Sequence, residues 1–100
     1  MIDLDVLCDK VSKTQNKAKS LKWGVHIEPE EHSAMFAVGH TFYKRKVLYI
    51  HLIVRESVEV SYFIGEDRKP THVEMCSSEE EVLKEVRRIL TFEFPRRFLN

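Results

Sequence analysis

The sequence predicts an α+β fold: an antiparallel sheet of four to five strands with an N-terminal and a C-terminal helix packed on one face, in the order α-β-β-β-β-(β)-α. Three observations predict it. Apolar residues recur at helical spacing near each end, the middle of the chain changes to a period of two, and one central segment is apolar on both of its faces. The 100 residues, 43% of them hydrophobic, are expected to form a single domain over 1–100.

The first helix is predicted from a stripe of residues spaced three and four apart: Leu4, Leu7, Val11, Thr14, Ala18 and Leu21. Lysines near the end of the stripe, such as Lys17 and Lys19, suit the negative end of a helix dipole. Gly24 is expected to stop this helix.

Two strands are predicted next. Trp23, Val25 and Ile27 alternate with Gly24, a histidine and a glutamate, which is typical of a strand. The polar segment 28–33 predicts a turn, and a second strand is expected from Ala34 to about Tyr43.

A central hairpin is the best specified part of the chain. Between residues 47 and 54 only His51 is polar, so both faces of this strand need cover. Its helix-facing side is predicted to be Leu48, Ile50, Leu52 and Val54, and the next strand alternates through Val58, Val60, Tyr62 and Ile64. A three-residue loop at 55–57 matches these two apolar sets, whereas a slip of one residue would invert one of them. In the predicted register Tyr49 lies opposite Phe63, His51 opposite Ser61 and Ile53 opposite Glu59 on the other face.

The end of the chain predicts a short fifth strand over Thr71–Cys76, at an edge of the sheet, and then a helix. A capping box, Ser78 with Glu81 or alternatively Ser77 with Glu80, marks the start of that helix. Its apolar face is predicted to be Val82, Leu83, Val86, Ile89 and Leu90. Pro95 is expected to end the helix by Phe94.

Candidate catalytic and metal-binding residues are few. The five histidines have no helical pair spacing, and neither cysteine lies in a Cys-x-x-Cys pair. We expect the histidines to contact neighbours such as Glu28, Glu74 or Ser61; a meeting of His51 with His26 or His72 across strands is the weaker alternative. Cys76 precedes a helix start, which would lower the pKa of its thiol, and His72 could then act as its base, but a packing role is favoured. We therefore expect no enzymatic activity, no metal and no cofactor.

Phosphate binding is the alternative function that the sequence offers. Basic residues stand beside aromatic ones at Lys44, Arg45 and Lys46 and again at Arg96 and Arg97. Sixteen basic and sixteen acidic residues cancel, however, so bulk charge does not favour nucleic acid.

The function expected first is that of a small protein-interaction module, a regulator, inhibitor or adaptor that acts by stoichiometric binding. Its partner would be another protein or a second copy of the chain in a homodimer, bound through the sheet face that carries Tyr49, His51, Ile53 and Phe63. Two cysteines, an acidic start and the lack of a long apolar run lead us to expect a soluble, cytoplasmic protein that does not bind membranes.

Overall fold

A computed structural model describes residues 2–15, 22–39 and 47–98. Helix α1 is Leu4–Gln15, and five strands follow: β1 Lys22–Glu28, β2 Ser33–Gly39, β3 Leu48–Val54, β4 Val58–Ile64 and β5 His72–Cys76. A 3-10 turn, Pro29–Glu31, joins β1 to β2. Helix α2 is Glu79–Arg88, and a π-helical turn, Ile89–Glu93, leads into the short helix α3, Phe94–Phe98.

The strands form one antiparallel sheet in the order β1-β2-β3-β4-β5, so the predicted α+β class is confirmed. The fifth strand is present and lies at an edge of the sheet, as predicted. Each strand pairs with its neighbour in sequence, and short connections between antiparallel neighbours produce this topology.

The register of the central hairpin is confirmed residue by residue. Val54 pairs with Val58 and Leu48 with Ile64, while Tyr49 pairs with Phe63 on the other face. The loop 55–57 is closed by a hydrogen bond in which the Arg55 N–H donates to the Ser57 carbonyl at 2.9 Å. The apolar period of the two strands therefore determined the pairing, although the loop lacks the glycine common in three-residue turns.

The core lies between one face of the sheet and the helices. Its largest fully buried side chains come from the three central strands, from α1 and from the C-terminal helical segment: Phe36, Leu48, Ile50, Leu52, Leu7, Ile89 and Phe94. Lys10 of α1 and Glu79 of α2 form an ion pair where the two helices meet. All of the described helices thus contribute to the same side of the sheet.

The start of α2 follows the predicted capping box with one change. The Glu81 N–H donates to the Ser78 hydroxyl at 3.2 Å, as expected of an N-cap serine. The carboxylate of Glu81, however, accepts from the N–H of Ser77 at 2.7 Å rather than from that of Ser78. Two backbone donors that a helix start leaves unpaired are still satisfied.

Pro95 does not end the helical segment by Phe94, so that prediction is wrong. The Phe94 N–H donates to the Ile89 carbonyl, five residues back, and Phe94 keeps right-handed helical angles. Pro95 then falls in the first turn of α3, where a missing N–H costs no intrahelical hydrogen bond. The π turn shifts the hydrogen-bond register and lets the chain pass the proline.

The predicted end of the first helix is also wrong. Gly24 lies inside β1, where it pairs with Ala37, and α1 is described only to Gln15. The alternation over residues 23–27 predicted the strand correctly, whereas the use of Gly24 as a helix stop did not. Lys17, Ala18, Lys19 and Leu21 lie outside the described residues.

Polar groups join the sheet to the C-terminal segment. The Tyr62 hydroxyl donates to Glu93 Oε2 at 2.9 Å, and Arg88 Nη1 donates to Glu93 Oε1 at 3.1 Å. Arg88 also binds Glu85 through Nε and Nη2. These contacts hold the pKa of Glu93 below its usual value, first through the Tyr62 hydrogen bond, and that of Arg88 above its usual value.

Candidate functional site: the open face of the sheet

The face of the sheet that points away from the described helices carries the predicted partner-binding residues. Tyr49, His51 and Ile53 alternate along β3 with the buried Leu48, Ile50 and Leu52, and all three are half-buried. Phe63 of β4 is half-buried opposite Tyr49. The structure thus brings the four predicted residues onto one surface.

Three apolar residues that sequence reasoning did not assign complete this surface. Met35 pairs with His51 in the β2–β3 ladder, and Val73 pairs with Ser61 in the β4–β5 ladder. Met75 pairs with Glu59, and it is 56% exposed while Val73 is 44% exposed. Their place could have been found from the alternation of side chains along a strand. Once the strand order is known, this alternation places every second residue of β2 and β5 on the same side of the sheet. We call the seven residues Met35, Tyr49, His51, Ile53, Phe63, Val73 and Met75 the open face.

Two depressions shape the open face. One, of about 510 Å³, is lined by Met35, Tyr49 and Phe63 and has Gly65, Glu66 and Asp67 at its rim. The other, of about 330 Å³, lies beside Ile53 and His51 and is bordered by Glu31, Ser33 and Arg55. The first combines aromatic walls with acidic groups at its edge, an arrangement that suits an apolar side chain next to a positive charge.

The central row of the open face contains a histidine flanked by apolar groups. His51 lies between Met35 on β2 and Ser61 on β4, and its ring centroid is 6.5 Å from that of Phe63. Ser61, on the same face, is only 4% exposed. Val47, which precedes β3 on the same side, is 1% exposed.

The histidines contact glutamates on their own strands. His26 Nε2 lies 2.5 Å from Glu28 Oε1, and His72 Nε2 lies 3.2 Å from Glu74 Oε2. Both contacts were expected from the sequence. His72 pairs with Tyr62 on the helix-facing side, so the alternative in which it meets His51 is wrong.

Within residues 2–15, 22–39 and 47–98, no group of three or more His, Cys, Asp or Glu side chains is arranged to hold a metal ion. His26 stands two strands away from His51, with Met35 between them.

The two cysteines are buried free thiols. Cys8 is 5% exposed and Cys76 is 2% exposed. Burial raises the pKa of each thiol to about 11, with a smaller contribution from Asp5 at Cys8 and from Glu85 at Cys76. The expectation that a helix start lowers the pKa of Cys76 is therefore wrong, because burial and the nearby carboxylates both raise it.

A third depression, of about 570 Å³, lies between β5 and the C-terminal helical segment. Its walls carry charges of both signs, including Glu74, Lys84 and Arg87, beside the exposed Phe92. Since Glu85 and Arg88 in this wall already pair with each other, the depression presents little uncompensated charge of either sign.

The basic residues of the alternative function are placed only in part. Lys44, Arg45 and Lys46 lie outside the described residues. Arg96 is exposed on α3, and Arg97 belongs to the same helix.

None of the helices described here is long and apolar enough to cross a membrane. Comparison with known proteins finds no matching family model, no matching curated protein and no matching solved structure.

Proposed function

We propose that this protein is a non-enzymatic interaction module that binds a protein partner, or a second copy of itself, through the open face. The observation that carries the proposal is the placement of the described helices on one side of the sheet, while six apolar side chains and His51 lie on the other side among polar residues such as Ser33, Glu59 and Ser61. Apolar surface grouped in this way usually marks an interface.

The chemistry of the open face supports a particular kind of partner. The depression at Tyr49 and Phe63 accepts an apolar side chain, and Asp67 at its rim favours a lysine or arginine beside that side chain. Aromatic residues such as Tyr49 and Phe63 bury a large area and are common among the residues that dominate binding energy. The protein would act by occupying its partner as a regulator, inhibitor or adaptor.

The test replaces the aromatic walls with charges. In the variant Tyr49→Lys/Phe63→Lys the new ammonium groups lie near Glu66 and Asp67, which favours a folded protein. Phe92→Lys is the matched control, because Phe92 is 66% exposed and lies outside the open face. Circular dichroism should show that both variants are folded.

Binding is then measured by solution mass, with the purified protein alone and after incubation with nuclease-treated cell lysate. We expect a complex of fixed stoichiometry with a lysate protein for the native protein and for Phe92→Lys, and its loss in Tyr49→Lys/Phe63→Lys. A complex with a lysate protein that survives the double change would contradict the proposal. Nucleic acid is the rival partner, and a salt-dependent complex with an oligonucleotide that the double change leaves intact would favour it.

A further inference from the structure

The outer edge of β1 presents backbone groups that no described strand pairs. In the β2–β3 ladder the Val54 N–H donates to the His32 carbonyl at 2.8 Å, so even-numbered residues of β2 bond to β3. The odd-numbered residues of β2 bond to β1, where their partners have even numbers. The N–H and C=O groups of Trp23, Val25 and Ile27 therefore point away from the sheet.

Two residues of β1 are not explained by contacts among the described residues. Val25, at the middle of the strand, is 52% exposed. Gly24 has no positive φ, and a Cβ added to it would meet only the Cβ of Ala37, at an ordinary 3.9 Å. Neither backbone conformation nor packing requires glycine here. Glycine inside a strand weakens it and often marks the close approach of another backbone.

We propose that β1 pairs with β1 of a second copy of this chain, antiparallel about a twofold axis at Val25. Residues whose backbone groups point outward must pair with each other, which restricts the register. The register centred on Val25 pairs all seven residues of the strand. It places Trp23 opposite Ile27 of the second copy, and Val25 opposite Val25.

The side chains in this register are complementary. Lys22 stands opposite Glu28 of the second copy, and the twofold axis repeats this pair of opposite charges. Gly24 stands opposite His26, so the residue without a Cβ leaves room for an imidazole that already contacts Glu28. Val25, exposed in the single chain, is covered at the axis.

The other edge of the sheet does not offer this match. The Gly65 N–H donates to the Val47 carbonyl at 2.8 Å, so odd-numbered residues of β4 form their backbone hydrogen bonds with β3 and even-numbered ones with β5. The partners in β5 also have even numbers, which leaves the backbone groups of Val73 and Met75 pointing outward. A β5 pairing about a central axis would set Glu74 directly against Glu74 of the second copy, and like charges in that position are destabilising. The self-complementary edge of the sheet is β1.

This interface uses a strand edge and leaves the open face free, so it does not depend on the proposed function. The twofold axis would run perpendicular to the sheet, because the strands pair side by side. The two open faces would then lie on one side of a ten-stranded sheet and the helices on the other. A partner bound to the open face would meet two copies of it.

Charge reversal tests the register directly. Lys22 and Glu28 are exposed, so the variants Lys22→Glu and Glu28→Lys should fold. In a homodimer of either variant, residue 22 of each copy faces a residue 28 of the same charge in the other copy. We therefore expect the dimer dissociation constant of each variant to rise roughly tenfold or more. Mixing the two variants should restore a heterodimer, and the double variant Lys22→Glu/Glu28→Lys should dimerise as the native chain does. Sedimentation equilibrium and native mass spectrometry give these measurements.

A backbone variant provides a second test. Val25→Pro removes the N–H at the axis, and within the chain that N–H points outward, where an edge strand tolerates proline. We expect a folded monomer by circular dichroism. Phe92→Lys, at an exposed position outside both β1 and the open face, is the control and should remain dimeric.

Three results would overturn the inference: a native protein that stays monomeric at millimolar concentration, a mixture of the two charge-reversed variants that forms no heterodimer, or a dimer that Val25→Pro retains and Tyr49→Lys/Phe63→Lys loses. The last result would place the second copy on the open face. If Val25→Pro fails to fold, the mixture of charge-reversed variants decides the question alone.

Discussion

Leu52 and Ile53 are adjacent residues on opposite faces of the sheet, and they show how much the environment of a single side chain matters. Leu52 is fully buried between the sheet and the helices, whereas Ile53 is half-buried on the open face. The two side chains have the same number of carbon atoms, so a difference in the effect of truncation reports on the face and not on residue size.

We predict that Leu52→Ala lowers the free energy of unfolding by about 2–5 kcal/mol, because a cavity remains where sheet and helices hold the surroundings rigid. Ile53→Ala should cost clearly less in a dilute monomer. If a partner copy covers the open face, the cost of Ile53→Ala should rise with protein concentration. Urea unfolding at two protein concentrations measures both effects, and equal, concentration-independent losses would show that both faces are buried within one chain.

The thiols of Cys8 and Cys76 are predicted to be unreactive in the folded protein. Both are buried and their pKa values are raised to about 11, so little thiolate is present and reagent has no access. A colorimetric disulfide reagent at pH 8 should label them slowly, and quickly after addition of denaturant. Rapid labelling of Cys76 in the folded state would contradict the packing role.

The same thiols affect stability at high pH. Their folded pKa values lie above the ordinary value of 9.0, so the folded state holds these protons more tightly than the unfolded state. The contribution to stability is complete below pH 9 and is lost as the pH rises toward 11. Replacing both cysteines with alanine should make the unfolding midpoint less sensitive to pH over this interval.

At the scale of elements, the π turn between α2 and α3 is held to the sheet by Glu93. Its carboxylate accepts from Tyr62 of β4 and from Arg88 of α2. These contacts lower the pKa of Glu93, so its contribution to stability is present above the pKa of the unfolded chain and is lost as the pH falls through the folded value.

We predict that Glu93→Gln destabilises the protein at neutral pH and that the difference from the native protein shrinks on acidification. The amide keeps the shape of the side chain but lacks the charge that pairs with Arg88. Urea midpoints measured between neutral pH and the acid limit give the difference. Glu30→Gln, at an exposed position in the turn before β2, is the control and should leave the midpoint nearly unchanged.

The N-cap of α2 is a second element whose contribution can be measured. Ser78→Ala removes the hydroxyl that accepts from the Glu81 N–H. We expect a loss of about 1 kcal/mol of unfolding free energy, as is usual for N-cap serines. Ser78→Asp should restore most of it, since a carboxylate both caps and suits the helix dipole. A loss with alanine that aspartate does not rescue would argue against the cap.

At the scale of the whole molecule, a formal net charge of +0 and a pI of about 7.0 accompany a partly apolar surface. Repulsion between copies is weakest near neutral pH, which favours association. We predict that the concentration of ammonium sulfate needed for precipitation is lowest near pH 7. It should rise on either side of this pH, where the net charge departs from zero. The variant Tyr49→Lys/Phe63→Lys should raise the ammonium sulfate concentration needed for precipitation at pH 7 more than Phe92→Lys does.

The sequence by itself determined the class of fold, the pairing of β3 with β4 and the start of α2. Each of these depends on local patterns: a period of two that matches only one register, and a serine three residues before a glutamate. The four predicted open-face residues follow from the same alternation, because side chains on one strand must point to alternate sides.

Only the tertiary structure decided the rest, because those features depend on contacts between residues far apart in the chain. Met35, Val73 and Met75 join the open face through the strand order, which no single segment encodes. Burial against distant elements raises the pKa of Cys76 despite the nearby helix start, and the π turn carries the chain past Pro95.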